Sequence, residues 1–155
     1  MAKRVASAAL LALLSSCARD QPAPDVAIGH GWTRETAPGQ SVAAVYLTVT
    51  NHGTGEDRLA KVDPPGGAAA SLHSSSSDGG VARMRARPDG LVIPAHSTVE
   101  LRPGGTHIMV TGLQQPLRAG ETIELSLGFD RSGRRPLTVR VVPASGAPDE
   151  HGMVM

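Results

Sequence analysis

Short runs in which every second residue is apolar are the feature that most restricts how this chain can fold. This period of two is clear in Thr122–Asp130 and recurs in Ser41–Thr50 and Leu137–Val141. It puts the apolar side chains on one face of an extended strand. Glycines and prolines, 18 and 12 in number, separate the runs and are typical of turns between strands. Since no amphipathic helix is evident after residue 16, the sequence predicts an all-β domain, an antiparallel sandwich or barrel of about seven to nine strands.

Two hairpins follow from this pattern. Thr122–Asp130 and the final apolar run are predicted to pair as a C-terminal hairpin. Ala69–Ser74 and Val81–Arg87 are predicted to be the arms of a second hairpin, with the polar segment Ser74–Gly80 as its loop.

The start of the chain has the layout of a secretory signal. Lys3 and Arg4 precede the apolar stretch Val5–Leu14, which is too short to span a membrane as a mature helix. This stretch runs into Leu14-Ser-Ser-Cys17, which resembles the lipidation box of bacterial lipoproteins. We therefore expect residues 1–16 to be a signal peptide of the lipoprotein type.

Cys17 is the one cysteine of the chain. A lone exposed thiol is a liability in an oxidising compartment, and acylation would remove it. We expect a lipid anchor at Cys17, a tether over residues 17–25, and a periplasmic or extracytoplasmic location at a membrane. An ordinary signal peptide, with Cys17 discarded or left as a free thiol, is the alternative.

The charge balance excludes some partners. Loss of Lys3 and Arg4 with the signal would leave 13 basic residues against 14 acidic ones. No basic block with interleaved aromatic residues exists, so we expect no nucleic-acid partner. The folded domain is predicted over residues 26–143, followed by a flexible tail over residues 144–155.

Four side chains are candidate metal ligands: His73, Met84, His107 and Met109. His107 and Met109 are two residues apart, and a strand would point them to the same face. A hairpin between His73 and Met84 would bring that second pair together. Two imidazoles with two thioethers suit Cu(I), because thioether sulfur binds Zn(II), Mg(II) and Ca(II) poorly. On the residues alone the alternative stays open, since a strand methionine is often a core residue and a single histidine a surface residue.

The tail carries a second group of donors. His151, Met153 and Met155 are a secondary candidate site for Cu(I) or Cu(II). The alternative is a disordered chain end with no role.

The segment around the four donors resembles the periplasmic copper chaperone family (PCuAC-like) that serves the binuclear copper centre of cytochrome c oxidase. The family pattern is a His, ten residues, a Met, about twenty-one residues, and then His-x-Met, and His73, Met84, His107 and Met109 fall on its positions. Val99-Glu-Leu-Arg-Pro-Gly-Gly105 and the earlier Val42–Asn51 run also match.

This resemblance implies a cupredoxin-like β-sandwich that binds Cu(I) near one end through those four residues. It implies a copper chaperone rather than an enzyme. The expected acceptor is the copper subunit of cytochrome c oxidase or a thiol-bearing assembly factor, with copper homeostasis as a related role. The alternatives are a structural or adhesive lipoprotein without metal and a cupredoxin-like redox protein. The redox protein is disfavoured because a blue-copper site needs a cysteine thiolate ligand.

The chain departs from the family pattern in three places. Twenty-two residues separate Met84 from His107, and the extra one is expected in the turn over residues 85–90. Ala82 stands where a further methionine is common, and His96 stands where a glycine is common. None of these departures removes a ligand.

Overall fold

The computed structural model describes residues 22–146. This part of the chain contains eleven strands and no helix, so no helical membrane span is found within it. The strands are β1 (Val26–Ile28), β2 (Gly31–Arg34), β3 (Val42–Asn51), β4 (Asp57–Asp63), β5 (Ala69–Asp78), β6 (Val81–Ala86), β7 (Leu91–Ile93), β8 (Ser97–Leu101), β9 (Thr106–Thr111), β10 (Thr122–Phe129) and β11 (Gly133–Val142). The predicted signal peptide, Cys17 and the tail donors His151, Met153 and Met155 lie outside the described residues.

The strands form one continuous sheet in the order β6-β5-β9-β3-β2-β11-β10-β4-β7, and β1 and β8 also pair with β3. The prediction of an all-β fold is confirmed. Neighbouring strands are antiparallel except β2 and β11, which run parallel with Trp32 opposite Arg140. The predicted C-terminal hairpin is also confirmed, as β10 pairs with β11 along its whole length.

The long strand β3 organises the sheet. Its first half pairs with β2 and β9, and its second half pairs with β1 and β8. Alternate residues of the strands point to one face and form the core. The fully buried members of this core are Val45, Val49, Leu59, Ile93, Ile108, Val110, Leu127 and Val139. The remaining face of β9, β3 and β2 is the outer face of the sheet.

The hairpin of β5 and β6 differs from its prediction. The sequence predicts a loop over Ser74–Gly80, but β5 continues to Asp78, and the turn is confined to Gly79 and Gly80. Both glycines have positive φ, 56° and 80°. A two-residue hairpin turn of type I′ requires positive φ at both positions. The prediction of the loop is therefore wrong, whereas Val81–Ala86 is the second arm as expected.

Buried Asn51 joins the start of the folded part to the end of β3. Its side-chain oxygen accepts hydrogen bonds from the N–H groups of Asp25 and Gly53, and its side-chain nitrogen donates to the carbonyls of Gly55 and Ile93. The Ala23 carbonyl accepts a further bond from the N–H of Gly55. Residues 22–25, expected to belong to the tether, are thus packed on the domain.

Candidate metal centre

The register of β6, β5 and β9 brings the four candidate ligands to the outer face. His73 on β5 lies directly opposite His107 on β9. Ser71 is opposite Met109, and Ser75 is opposite Met84 on β6. Residues directly opposite one another, and residues two apart on one strand, share a face. The two histidines and two methionines therefore lie on the same side of three adjacent strands.

The two imidazoles form the centre of this group. The ring centroids of His73 and His107 are 6.0 Å apart, and the ring planes are inclined by 21°. The two rings are therefore stacked on neighbouring strands, close enough for one ion to contact both. The pair is the most direct observation in favour of a metal site here.

The turn between β8 and β9 orients the His107 ring. His107 is 4% exposed, and its Nδ1–H donates to the carbonyl of Gly105 at 3.1 Å. The same carbonyl accepts a bond from the N–H of Ser75 at 3.0 Å. Gly104 has φ of 74°, a conformation that favours glycine and lets the turn close tightly. Because Nδ1 carries the proton, Nε2 of His107 has the free lone pair that a metal ligand needs.

His73 has one nitrogen paired and one unpaired. Its Nε2 lies 2.9 Å from the hydroxyl of Ser71, within hydrogen-bond distance. Its Nδ1 is buried and has no hydrogen-bond partner among the described residues. An unsatisfied buried polar atom is unfavourable, and a metal ion bound by the ring would remove that cost. The unpaired Nδ1 is therefore consistent with His73 as a metal ligand.

The two methionines differ in exposure. Met109 is half-buried on β9, between Ala44 of β3 and Ser71 of β5. It also borders an open pocket of about 260 Å³ that Tyr46 helps to line. Met84 is 53% exposed on β6, which ends the sheet. One thioether is therefore held by its neighbours, and the other is accessible from solvent.

An aromatic wall, formed by Tyr46 and Trp32, lies on one side of the group. The Tyr46 ring lies 6.3 Å from His107 and 4.5 Å from Trp32, measured between centroids. The guanidinium of Arg34 lies 5.9 Å from the centre of the Trp32 ring. Burial raises the pKa of the Tyr46 phenol, and the positive charge of Arg34 opposes part of the rise. The phenol is therefore neutral at physiological pH, and the wall adds no negative charge to the group.

Sequence reasoning missed Ser71, Tyr46 and the Gly105 carbonyl as neighbours of the ligands. Tyr46 carried a signal, because the period of β3 puts it on the face opposite Val45. The contacts of Ser71 and Gly105 depend on the pairing of β5 with β9, which the sequence does not reveal. The Pro103-Gly-Gly105 turn places the Gly105 carbonyl within hydrogen-bond distance of the His107 ring.

The donor set itself restricts the metal. Within residues 22–146 no three His, Cys, Asp or Glu side chains are grouped as a metal site. Any metal bound by this group would therefore depend on the thioethers as well as the imidazoles. This combination fits a soft monovalent ion such as Cu(I) and suits Zn(II), Mg(II) or Ca(II) poorly.

The fold and this face define the chain as an all-β domain with a His/Met donor group on the outside of its sheet. Residues 26–141 match the family described as "Putative lipoprotein LpqE-like", so the chain belongs to the LpqE-like family. The "Putative lipoprotein Lxx21020" of Leifsonia xyli subsp. xyli is 32% identical over 153 residues, which is 93% of this chain and 91% of that protein.

Solved structures with the same fold include PCuAC domains. The copper-bound PCuAC domain from PmoF2 has a TM-score of 0.65 at 24% identity, over 76% of this chain and 92% of that domain. The solution structure of Cu(I)-bound DR1885 from Deinococcus radiodurans has a TM-score of 0.60 at 27% identity, over 84% of this chain and 85% of that one. The resemblance to PCuAC domains found in the sequence is thus confirmed.

Proposed function

We propose that this protein is an extracytoplasmic copper carrier that binds Cu(I) through His73, Met84, His107 and Met109 and then releases it to an acceptor. The opposed pair of His73 and His107, with both thioethers on the same face, is the observation that supports this most directly. The similarity to Cu(I)-bound DR1885, at 27% identity, supports the same metal.

Each ligand has a distinct task in this proposal. His107 is the fixed ligand, because the Gly105 carbonyl holds its ring and leaves Nε2 free. His73 supplies the second nitrogen from the neighbouring strand. Met109 supplies a thioether from a partly packed position, and Met84 completes the site from the exposed edge. All four ligands are neutral when bound, so Cu(I) keeps its single positive charge.

Release proceeds by ligand exchange rather than by a redox step. A thiolate, thioether or imidazole of the acceptor bonds to Cu(I) as the Met84 sulfur leaves, and copper remains Cu(I) throughout. Met84 is the first ligand to exchange because it is the most exposed of the four. The protein is therefore a carrier rather than an enzyme. The redox-protein alternative lacks a cysteine in the domain, since the one cysteine is Cys17.

The acceptor we favour is the copper subunit of cytochrome c oxidase, or a thiol-bearing factor that assembles it. This choice rests on the resemblance in sequence to the periplasmic copper chaperones. We further propose that a lipid on Cys17 anchors the protein at the extracytoplasmic face of a membrane. The lipoprotein descriptions of the family and of the Leifsonia relative support this location. A diacylglyceryl mass on Cys17 in membrane-extracted protein would test it.

The tail is proposed as an accessory copper site. His151, Met153 and Met155 provide one imidazole and two thioethers, which suit Cu(I), while the imidazole also accepts Cu(II). Deleting Asp149–Met155 is expected to lower the number of copper ions bound per chain. Unchanged stoichiometry in both Cu(I) and Cu(II) titrations would rule this site out.

The main test is a competition titration with a chromogenic Cu(I) chelator, without oxygen. It uses the chain with Cys17→Ser, so that the lone thiol does not bind copper itself. The protein is expected to compete, and His73→Gln is expected to lose most of this ability. His52→Gln is the matched control, because His52 is exposed just after the end of β3, whereas β9 pairs with the first half of that strand. Failure of the unmodified site to compete, or an equal loss in the His52 control, would overturn the proposal.

A further inference from the structure

Strand β6 carries three arginines that copper binding does not require. Arg83 and Arg85 flank Met84 in the sequence, and Arg87 directly follows the strand. All three are exposed. Four ion pairs occur among residues 22–146, and none includes any of these arginines. Three guanidinium groups are therefore available to a partner beside a proposed copper ligand.

The same strand has a free edge. The sheet ends at β6, which pairs only with β5 among the described residues. Every residue of β6 is exposed, including Val81 at 57% and Met84 at 53%. An unpaired edge offers N–H and C=O groups that an extended segment of another chain can bond. The edge therefore has both the hydrogen-bonding groups and the apolar side chains that a docking strand needs.

The positive charge on this edge does not help the protein to bind copper. A positive charge near a Cu(I) site repels the ion and weakens its binding. The nearest carboxylates in the sequence, Asp78 and Asp89, lie beyond the two ends of the strand, so the edge around Met84 is basic. A basic surface attracts acidic surfaces and speeds their encounter. The arginines are therefore better suited to an acidic protein segment than to the metal.

We propose that β6 is the docking edge for an acidic segment of the copper acceptor. The carboxylates of that segment pair with Arg83, Arg85 and Arg87 while its own copper ligand displaces the Met84 sulfur. Arg83 and Arg85 lie on the face of β6 opposite Met84. Alternate side chains of a segment bound along the edge would therefore reach the arginines on one face and Met84 on the other. The inference rests on the proposed carrier function and specifies that the docking segment of the partner is acidic.

The test uses two synthetic peptides with the same pair of cysteines. One has glutamates around the cysteines, and the other has glutamines at those positions. Transfer of Cu(I) from the full chain is followed by stopped flow, on the Cys17→Ser background. At about 0.01 M salt the acidic peptide is expected to receive copper about tenfold faster or more. At about 1 M salt, where charges are screened beyond about 3 Å, the two rates should converge.

Two triple variants assign the effect to this edge. Changing Arg83, Arg85 and Arg87 together to Gln should abolish the preference for the acidic peptide, while changing them to Lys should largely retain it. The matched control changes Arg118, Arg135 and Arg140 to Gln. These arginines are also exposed, take part in none of the ion pairs among residues 22–146, and lie outside β6. The control alters net charge equally and should keep the preference.

A copper-free arm separates this inference from the proposed function. Fluorescence anisotropy of the labelled acidic peptide, with its cysteines blocked, reports docking even if the chain binds no copper. Peptide docking without Cu(I) binding would contradict only the carrier function. Cu(I) binding without a preference for the acidic peptide would contradict only the docking edge. Two further outcomes would overturn the docking edge. The first is arginine-dependent binding to anionic vesicles with no peptide preference. The second is self-association of the Gln variant alone, which would mean that the arginines only protect the edge from pairing.

Discussion

The two methionines of the candidate centre are expected to differ in how much they contribute to copper affinity. The perturbations are Met109→Leu and Met84→Leu, each of which removes the sulfur and keeps a similar volume. Leucine for methionine in a packed site changes stability by less than about 1.5 kcal/mol, and Met84 is 53% exposed. Both variants should therefore fold, and any loss of copper binding should come from the missing thioether.

The size of the difference follows from side-chain freedom. Immobilising a methionine side chain opposes binding by up to about 1.5–2 kcal/mol. Met84, on the free edge, loses most of its freedom only when copper binds. Met109, half-buried between β3 and β5, loses part of it when the chain folds. A difference of about 1 kcal/mol corresponds to about fivefold in Kd. Met109→Leu should therefore weaken Cu(I) binding about fivefold more than Met84→Leu does.

The assay is chelator competition on the Cys17→Ser background, with urea unfolding as the control for stability. X-ray absorption at the copper edge should report one sulfur fewer in either variant. An equal loss of affinity, or a larger loss in Met84→Leu, would refute the reasoning from exposure. A sulfur count that does not change would exclude that methionine as a ligand.

Three further changes test the fold that supports the centre. Asn51→Ala removes four hydrogen bonds to backbone groups, and urea unfolding should report a loss of about 2–4 kcal/mol; unchanged stability would contradict the bonding. His96→Gly should stabilise the domain by about 0.5–1 kcal/mol in the same assay, because His96 has φ of 51°; destabilisation would show that its side chain is needed. Burial raises the pKa of Asp57, but hydrogen bonds from Ser132 and neighbouring backbone N–H groups outweigh this and hold the pKa below its usual value. The stability from Asp57 is therefore complete above about pH 4 and is lost as pH falls through the lowered pKa. The difference in unfolding free energy between the unmodified protein and Asp57→Asn should become smaller as the pH falls below about 4. A difference that does not change with pH would refute this.

The sequence predicted what depends on local periodicity. The alternation in β3 and β10 identified both strands, and the spacing of His107 and Met109 put them on one face. His96, which stands where the resembling family commonly has glycine, lies in the left-handed region. A non-glycine residue adopts that conformation only at a cost.

What the sequence could not predict depends on pairing between distant segments. The serines of β5 have no apolar period, and their extended conformation is fixed by the ladders to β6 and β9. The hydrogen bond of Ser71 to His73 belongs to that extended strand. The parallel contact of Trp32 with Arg140 joins residues that are far apart in the chain. Such contacts follow from the closure of the whole sheet rather than from any local pattern.

On β5 and β9 the core residues and the donor residues lie on opposite faces of the strand, and this separates folding from metal occupancy. Ile108 and Val110 hold β9 in the core, while His107 and Met109 alternate with them on the outer face. The domain therefore does not need copper to fold, unlike small zinc modules whose metal is their core. Copper would stabilise the folded domain only through its binding free energy. This contribution rises with the logarithm of the free copper concentration. A carrier built in this way stays folded when empty, ready to be loaded again after each delivery.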